Sequence, residues 1–375
     1  MMYGIDFEKG VKNIGDTTRL KNTFVKALNG EDITIGFIGG SITQGSLAST
    51  EKTCYAYLVY SWFKRTFPKI HVNYVNAGIG GTGSDLGVSR VDDDLLRFKP
   101  DVTIVEFSVN DREDEHFFES YEGLVRHILS DPSDTGLILV FNVRYDTMES
   151  AEDIHLKIGR HYDVPCLSMR SSVYQKVADG TIKNRDITPD DLHPNDEGHK
   201  LLAELILRYL DMVYESSKDL KYYLPIYREI KGPLSKNTYE HSKRYNNLNS
   251  EPECNGFEAD NTVQERITQM FRHGYSAWHL NDEISFTVNA SSLEVMYRKS
   301  VNKPTPIAEV IIDGDESSKV VLDGNFTEDW GDCLYTEIIK EHLEKKEHTV
   351  RIIITEDHPG EDVVPFYLVG VIGAD

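Results

Sequence analysis

The sequence predicts an α/β domain followed by an antiparallel β-sandwich, and three observations carry that expectation. Over the first ~215 residues, five short and nearly continuous apolar runs alternate with segments of helical period. The rhythm then stops in a polar, tyrosine-rich stretch, 218–256, that holds Pro225, Pro233 and Pro252. Beyond it come short segments of alternating polarity, separated by turns such as Asp313-Gly314-Asp315 and Asp323-Gly324-Asn325. Strands that are apolar throughout are buried on both faces, as in a parallel sheet covered by helices. Alternating strands bury one face, as in a sandwich.

Taken in order, strands are expected at 33–38, 71–76, 101–107, 137–142 and 164–168, with helices at 53–67, 84–97, 116–130, 150–162 and 195–215. The last helix is the clearest. Asn195 can cap it, and Leu201, Leu202, Leu205, Ile206, Tyr209 and Leu210 recur at helical spacing. Trp62, on the first of these helices, is read as a core residue. The second unit should hold strands at 284–289, 293–298, 307–313, 318–323, 349–355 and 364–372. The domains expected are therefore 1–217, a linker and lead-in at 218–256, and 257–375. With Tyr222, Tyr223 and Tyr227 in it, the linker is read as packed on a surface, because flexible linkers are poor in aromatics.

A length of 375 residues also favours two cores over one. The formal net charge of −22 disfavours nucleic acid and anionic membranes as partners, since both demand basic surfaces. No run approaches the roughly 18 apolar residues of a membrane helix, and Met1-Met2-Tyr3-Gly4-Ile5-Asp6 lacks the basic-then-apolar pattern of an export signal, so a cytoplasmic protein is expected. Cys54, Cys166, Cys254 and Cys333 are scattered without a Cys-x-x-Cys pair, which fits reduced thiols rather than a zinc site or a disulfide framework.

In open parallel sheets ligands bind at the carboxyl ends of the strands, and the polar signals fall there. The first strand ends in Gly39-Gly40-Ser41-Ile42-Thr43-Gln44-Gly45. The second ends in Asn76-Ala77-Gly78-Ile79-Gly80-Gly81-Thr82-Gly83-Ser84, and the third in Ser108-Val109-Asn110-Asp111. The segment before the last helix reads Asp190-Asp191-Leu192-His193-Pro194. A serine hydroxyl is a weak nucleophile until a histidine, itself oriented by a carboxylate, takes its proton. Three-residue spacing lets one turn present Asp190 and His193 together, and Pro194 stiffens that turn. An asparagine amide is a neutral donor for the charge that develops on an ester carbonyl.

Each signal has a plainer meaning when taken singly. A glycine-rich turn after a strand is often only a tight βα turn or a phosphate cradle. Asn110 alone would be a turn former, and Asp-x-x-His is common at helix starts. All four in order, each at a strand end, carry the reading of an ester-cleaving serine hydrolase. No Gly-Lys-[Ser/Thr] follows Ser41, which excludes a P-loop, and no Gly-x-Gly-x-x-Gly stands at the first strand, which disfavours a dinucleotide site. Thr43 occupies the second glycine position of the Gly-x-Ser-x-Gly elbow, which excludes a conventional α/β-hydrolase. Asp111, Glu113, Asp114 and Glu115 read as the solvated start of a helix. The thirteen histidines read as mostly scattered over the surface, and none shows the His-x-x-x-His spacing of a metal site.

The four blocks resemble those of the SGNH hydrolases, also called GDSL esterases, over roughly residues 30–210. The resemblance implies a flavodoxin-like three-layer sandwich around the five-stranded parallel sheet. It implies Ser41 as nucleophile, with Asp190 and His193 completing the triad. The oxyanion hole would be the backbone of Ser41 and Gly81 and the side chain of Asn110. Two departures stand out: Gly40 where many members have aspartate, and Ser108 where many have glycine. By domain order, length and the Gly-Gly-Ser-Ile-Thr-Gln-Gly block, the chain is most similar to the acetyl-mannan esterases of carbohydrate esterase family 17. Those carry a C-terminal carbohydrate-binding module of the family 35 type. That likeness implies a gut-bacterial O-acetylesterase, without metal or cofactor, acting on acetylated mannan oligosaccharides. Trp330 and Trp278, in loop-like stretches of the second unit, are the candidate sugar-stacking residues, with packing as their plainer role. The rival readings are a lipid or thioester hydrolase on the same fold, and a sugar-binding protein with a vestigial catalytic domain.

Overall fold

The apolar runs of the N-terminal half become strands, and the segments of helical period between them become helices, in the computed structural model, which describes residues 2–375. In chain order these are β1 (Val11–Asn13), α1 (Thr18–Leu28), β2 (Ile33–Gly39), α2 (Ser41–Gln44), α3 (Tyr55–Thr66), β3 (Val72–Gly78), α4 (Ser84–Asp94), β4 (Val102–Glu106), α5 (Glu115–Ser130), β5 (Gly136–Phe141), α6 (Glu152–His161), β6 (Cys166–Ser168), α7 (Val173–Ala178), α8 (Asn184–Ile187) and α9 (Asp196–Glu215). Among the described residues they build one six-stranded sheet in the order β1-β6-β5-β4-β2-β3. Strands β2 to β6 run parallel, and β1 is an antiparallel edge on β6. The parallel strands are the five read from the sequence. The edge strand β1 and helix α1 were not anticipated. β1 is three half-buried residues, too short for an apolar run to announce it.

Every residue of β2 is buried, as a central strand covered on both faces requires. One apolar cluster joins Ile33, Ile35 and Phe37 of β2 to Phe24 of α1, Val59 and Phe63 of α3, and Leu205 and Tyr209 of α9. Each such side chain, fully buried, contributes about 1.5–3 kcal/mol. Trp62 packs partly buried against the same cluster, its indole N–H donating to Asp211 at 3.1 Å. Outside that cluster Leu86 and Val91 of α4 and Leu124 and Val125 of α5 are buried. Strand order reverses between β2 and β4, so the crevice beyond their carboxyl ends is where a ligand is held in this topology. Ser41 follows β2, and Asn110 follows β4 closely.

The chain divides into two units, the first ending at Asn237 and the second running from Thr238 to Asp375. Residues 218–237 lie on the first unit as a strap. Asn22 exchanges two hydrogen bonds with the backbone of Leu224, at 2.7 and 3.0 Å. Arg126 donates to Lys231 O, and Lys231 to His161 O, both at 2.7 Å. The buried Glu122 accepts from Leu234 N at 2.6 Å and Ser235 N at 2.7 Å. Polar pairing, rather than aromatic burial, fastens the strap: Tyr222 and Tyr227 are 82% and 90% exposed.

The second unit contains β7 (Lys243–Tyr245), β8 (Glu253–Asn255), β9 (Glu258–Ala259), β10 (Tyr275–Ala277), β11 (Glu283–Ala290), β12 (Ser292–Lys299), β13 (Ile307–Ile312), β14 (Val320–Asp323), β15 (Cys333–Lys340), β16 (Lys346–Glu356) and β17 (Phe366–Ala374). One antiparallel sheet has the order β15-β12-β17-β10-β9, with β7 also on β17, and the other β14-β13-β16-β11-β8. Val295, Leu368 and Val371 of the first meet Phe286, Val310 and Ile352 of the second in a shared core. The sequence reading missed β15, whose burial does not alternate and which therefore lacks a period-two signal. No helix among the described residues is long and apolar enough to cross a membrane.

Candidate active site

Ser41 is the first residue of the one-turn helix α2, so its backbone N–H has no partner within the helix. The turn is fixed from several sides. Gly40 N donates to Glu106 O at 3.3 Å, and Thr43 Oγ1 meets Tyr55 OH at 2.8 Å. Asn76 Nδ2 donates to Thr43 O at 2.8 Å. The buried Arg90, reaching from α4, donates to Ala77 O at 2.8 Å and Gly39 O at 3.3 Å, so one guanidinium holds the ends of β2 and β3 together.

The segment 190–193 is a turn organised by its own carboxylate. Asp190 Oδ1 accepts from the N–H of His193 at 2.7 Å and of Leu192 at 3.0 Å, while Oδ2 meets His193 Nδ1 at 2.6 Å. The other ring nitrogen, Nε2, lies 2.8 Å from Ser41 Oγ. Burial pushes the Asp190 carboxyl up, but the bonds it accepts from the His193 ring and from the two N–H groups outweigh this. They leave it below the ordinary carboxylate range. The Asn195 side chain caps α9 through the N–H groups of Glu197 and Gly198, as its position in the sequence suggested. His199 of α9 bonds Ser46 O at 3.2 Å, and Asp196 takes Ser49 N at 2.7 Å, tying α9 to the loop after the serine. Burial drives His199 down to about 4, so this second histidine stays neutral.

Of the three glycines after β3, Gly78 donates its N–H to Asn76 Oδ1 at 2.9 Å and Gly80 to Gln44 Oε1 at 2.6 Å. Gly81, at φ +72°, is the one whose N–H no acceptor takes among the described residues. Asn110 N and Asp111 N both donate to Phe107 O, at 2.9 and 3.0 Å, closing the turn after β4. The Asn110 Oδ1 atom is buried without a partner among the described residues. A β-carbon at Gly40 would stand 2.2 Å from it, so the amide can lie against this backbone only because residue 40 is glycine. The departure from aspartate at that position therefore touches the asparagine directly.

Beneath the site Glu106 is fully buried, with Ser108 Oγ 3.2 Å from its Oε1. The same serine accepts from Asn142 N at 2.7 Å, bracing β4 against the loop after β5. Burial pushes the Glu106 carboxyl up to about 7, and the nearby Asn142 amide and the Ser108 hydroxyl oppose only part of that rise. A folded-state value above the unfolded one, about 4.3, means the folded chain keeps a proton that the unfolded chain has released. Stability should therefore fall as pH rises through that interval and level off above it. Denaturant melts of Glu106→Gln should gain about 2–4 kcal/mol on the native chain between pH ~4.5 and ~7.5. Parallel curves would show that Glu106 ionises without penalty.

The structure thus brings Ser41, His193 and Asp190 into one hydrogen-bonded row, with Gly81 and Asn110 on the turns after β3 and β4. Trp330 and Trp278 belong to the second unit and are 57% and 41% exposed. Trp330 stands edge-on to Phe326 and hydrogen-bonds Glu328. The solvated-acid reading fails at Asp111, which is buried and bonded to His155; Asp114 instead caps α5 through Phe117 N at 3.0 Å. Four of the thirteen histidines, His116, His155, His199 and His348, are buried, while the other nine are exposed or part-exposed. The helical period could have found His155, since it shares the buried face of α6 with Glu152, Leu156 and Gly159.

Residues 37–201 match the family described as GDSL-like Lipase/Acylhydrolase. Among curated proteins none matches. Two solved structures match along the whole chain. One is a two-domain esterase active on acetylated mannans, co-crystallised with mannopentaose. It is 48% identical, with 99% of this chain and 98% of that one covered and a TM-score of 0.94. The other is a two-domain esterase active on acetylated mannans, 47% identical over 99% of both chains, also with a TM-score of 0.94. With that domain matched and that likeness running from end to end, the chain belongs to the GDSL-like, or SGNH, hydrolases and is a carboxylic ester hydrolase of the two-domain kind.

Proposed function

We propose that the protein is a serine O-acetylesterase that removes acetyl groups from acetylated hemicellulose oligosaccharides, mannose-based ones foremost, through an acyl-enzyme. The observation that carries the reading is the row Asp190–His193–Ser41, at 2.6 and 2.8 Å, in a chain so similar to an esterase active on acetylated mannans. Ser41 Oγ attacks the acetyl carbonyl while its proton passes to His193 Nε2. Asp190 holds Nδ1 and stabilises the imidazolium that forms. The carbonyl oxygen, now negative, takes the N–H groups of Ser41 and Gly81 and the Asn110 amide. The C–O bond to the sugar breaks, and the sugar oxygen leaves with the proton from Nε2. Water then repeats the sequence on the acetyl-serine and releases acetate.

A cavity of about 500 Å³ opens beside Asn110, walled by Arg112, Glu113, Arg144, Met148, Asp153 and Arg170. Charged walls suit a hydroxylated substrate and would strand a fatty acyl chain, which favours the sugar ester over the lipid reading. In the second unit the exposed indoles of Trp330 and Trp278 are the surfaces this reading gives to sugar rings.

Mass spectrometry of acetylated manno- and xylo-oligosaccharides, before and after treatment, tests it. Acetate should leave the manno-oligosaccharides fastest, and butyryl or longer esters of the same sugars should react far more slowly. Faster release of long acyl chains would move the assignment to lipid or thioester hydrolysis, and no release would make the chain a binding protein.

A further inference from the structure

We infer that Asp111 and His155 are a buried positioning pair that aligns both outer donors of the oxyanion hole. The inference rests on the roles proposed above for Gly81 and Asn110. Asp111 directly follows Asn110, and its side chain is 0% exposed. Its Oδ1 accepts the N–H of Ser84 at 2.9 Å. Ser84 opens α4 immediately after Gly81-Thr82-Gly83. A single carboxylate therefore joins the loop that carries Gly81 to the turn that carries Asn110. The approach is close. A β-carbon at Gly83 would fall 2.9 Å from Asp111 Oδ1 and 2.7 Å from the Phe117 ring, so the loop reaches the carboxylate only with glycine there.

The other oxygen, Oδ2, lies 3.0 Å from His155 Nε2. His155 is also 0% exposed, and its ring lies flat on Tyr121 with centroids 3.5 Å apart and planes 7° from parallel. Its Nδ1 is buried with no partner among the described residues. With Nδ1 left without a partner, Nε2 is the ring nitrogen that bonds the carboxylate, as its N–H donor. Neither side chain can touch substrate, since both are fully buried. Their effect runs through the positions of Gly81 and Asn110, where a shift of about 1 Å can cost some 10²-fold in rate.

A double-mutant cycle on kcat and KM with an acetylated oligosaccharide, alongside thermal melts, tests the pair. Asn110→Ala comes first and should lower kcat by roughly 10²–10³. His155→Leu should lower kcat by about 10- to 10²-fold with KM within about twofold. His155→Gln, whose side-chain amide can still reach Asp111, should regain most of that loss. On the Asn110→Ala background His155→Leu should cost less than on the native chain, because one of the two donors it aligns is already gone. If His155→Leu does not fold, His155→Asn, polar but too short to reach, replaces it in the cycle. Equal losses with Leu and Gln, a loss mainly in KM, or full additivity with Asn110→Ala would overturn the pair's role and leave the oxyanion assignment standing. An unchanged kcat in Asn110→Ala would instead remove that assignment, and the pair's role with it.

Discussion

Ser41→Ala should fold as the native chain does and hydrolyse acetyl esters slower by about 10⁶-fold, the scale of nucleophile removal in other serine hydrolases. The oxygen removed makes one hydrogen bond, to His193 Nε2 at 2.8 Å, and the residue is 8% exposed. Losing a bond of that kind changes stability by about 1 kcal/mol. Activity and stability should therefore separate cleanly, and a melt run beside the assay checks this. A serine-directed fluorophosphonate should add mass to the native protein and none to the variant. Hydrolysis within tenfold of native by folded Ser41→Ala would end the nucleophile assignment.

Loss of the carboxylate should follow in size. Asp190→Asn should lower kcat by about 10⁴-fold, because an amide facing His193 Nδ1 selects the tautomer with a proton on Nε2, which cannot accept from Ser41. His193→Ala should fall further. The native pH profile then has a definite shape. The Asp190 carboxyl sits below the ordinary carboxylate range, so it is still ionised on acidification through that range. A carboxyl with a lowered folded-state value also stabilises the fold above the ordinary carboxylate range and ceases to do so only as pH falls through the lowered value. The acid limb of log(kcat/KM) should therefore have unit slope, with one proton abolishing activity while the fold persists. A slope of two, or an acid limb that coincides with unfolding, would contradict this arrangement.

The parallel strands and the residues at their carboxyl ends were legible because both signals are local. A strand buried on two faces is an apolar run, and a turn that presents a hydroxyl announces itself by its glycines. The choice of Gly81 over Gly78 and Gly80 was not local. It follows from which N–H groups Asn76 and Gln44 have already engaged. Asp111 stood in plain view beside three other acids and was read with them as solvated. Its partner lies far along the chain, in α6, and only the fold brings them together. Arg90 and Glu106 were overlooked because local pairing, Arg90 with Asp94 and Glu106 with Ser108, does not mark a charge as interior; Arg90's bonds to Gly39 O and Ala77 O exist only in the fold. In the second unit six strands were found, β12 and β17 among them although their burial does not alternate, while the short β7, β8, β9 and β10 gave no signal. β15 was missed because both of its faces are partly wet.

The strap over residues 218–237 also moves the true end of the hydrolase. A chain stopped at Ser217, where helical periodicity ends, would retain Ser41, Gly81, Asn110, Asp190 and His193. It would also strip Glu122 of the two backbone donors, Leu234 N and Ser235 N, and of the Ser235 hydroxyl, leaving Tyr162 OH at 2.6 Å. The three lost bonds to this carboxylate each contribute about 1.5–3 kcal/mol net of the water that would replace them, enough together to melt a marginal domain. Severing the chain beyond Asn237 spares that interior anion, so the least hydrolase able to stand by itself is defined by whom Glu122 keeps for company, with helix periodicity a misleading guide.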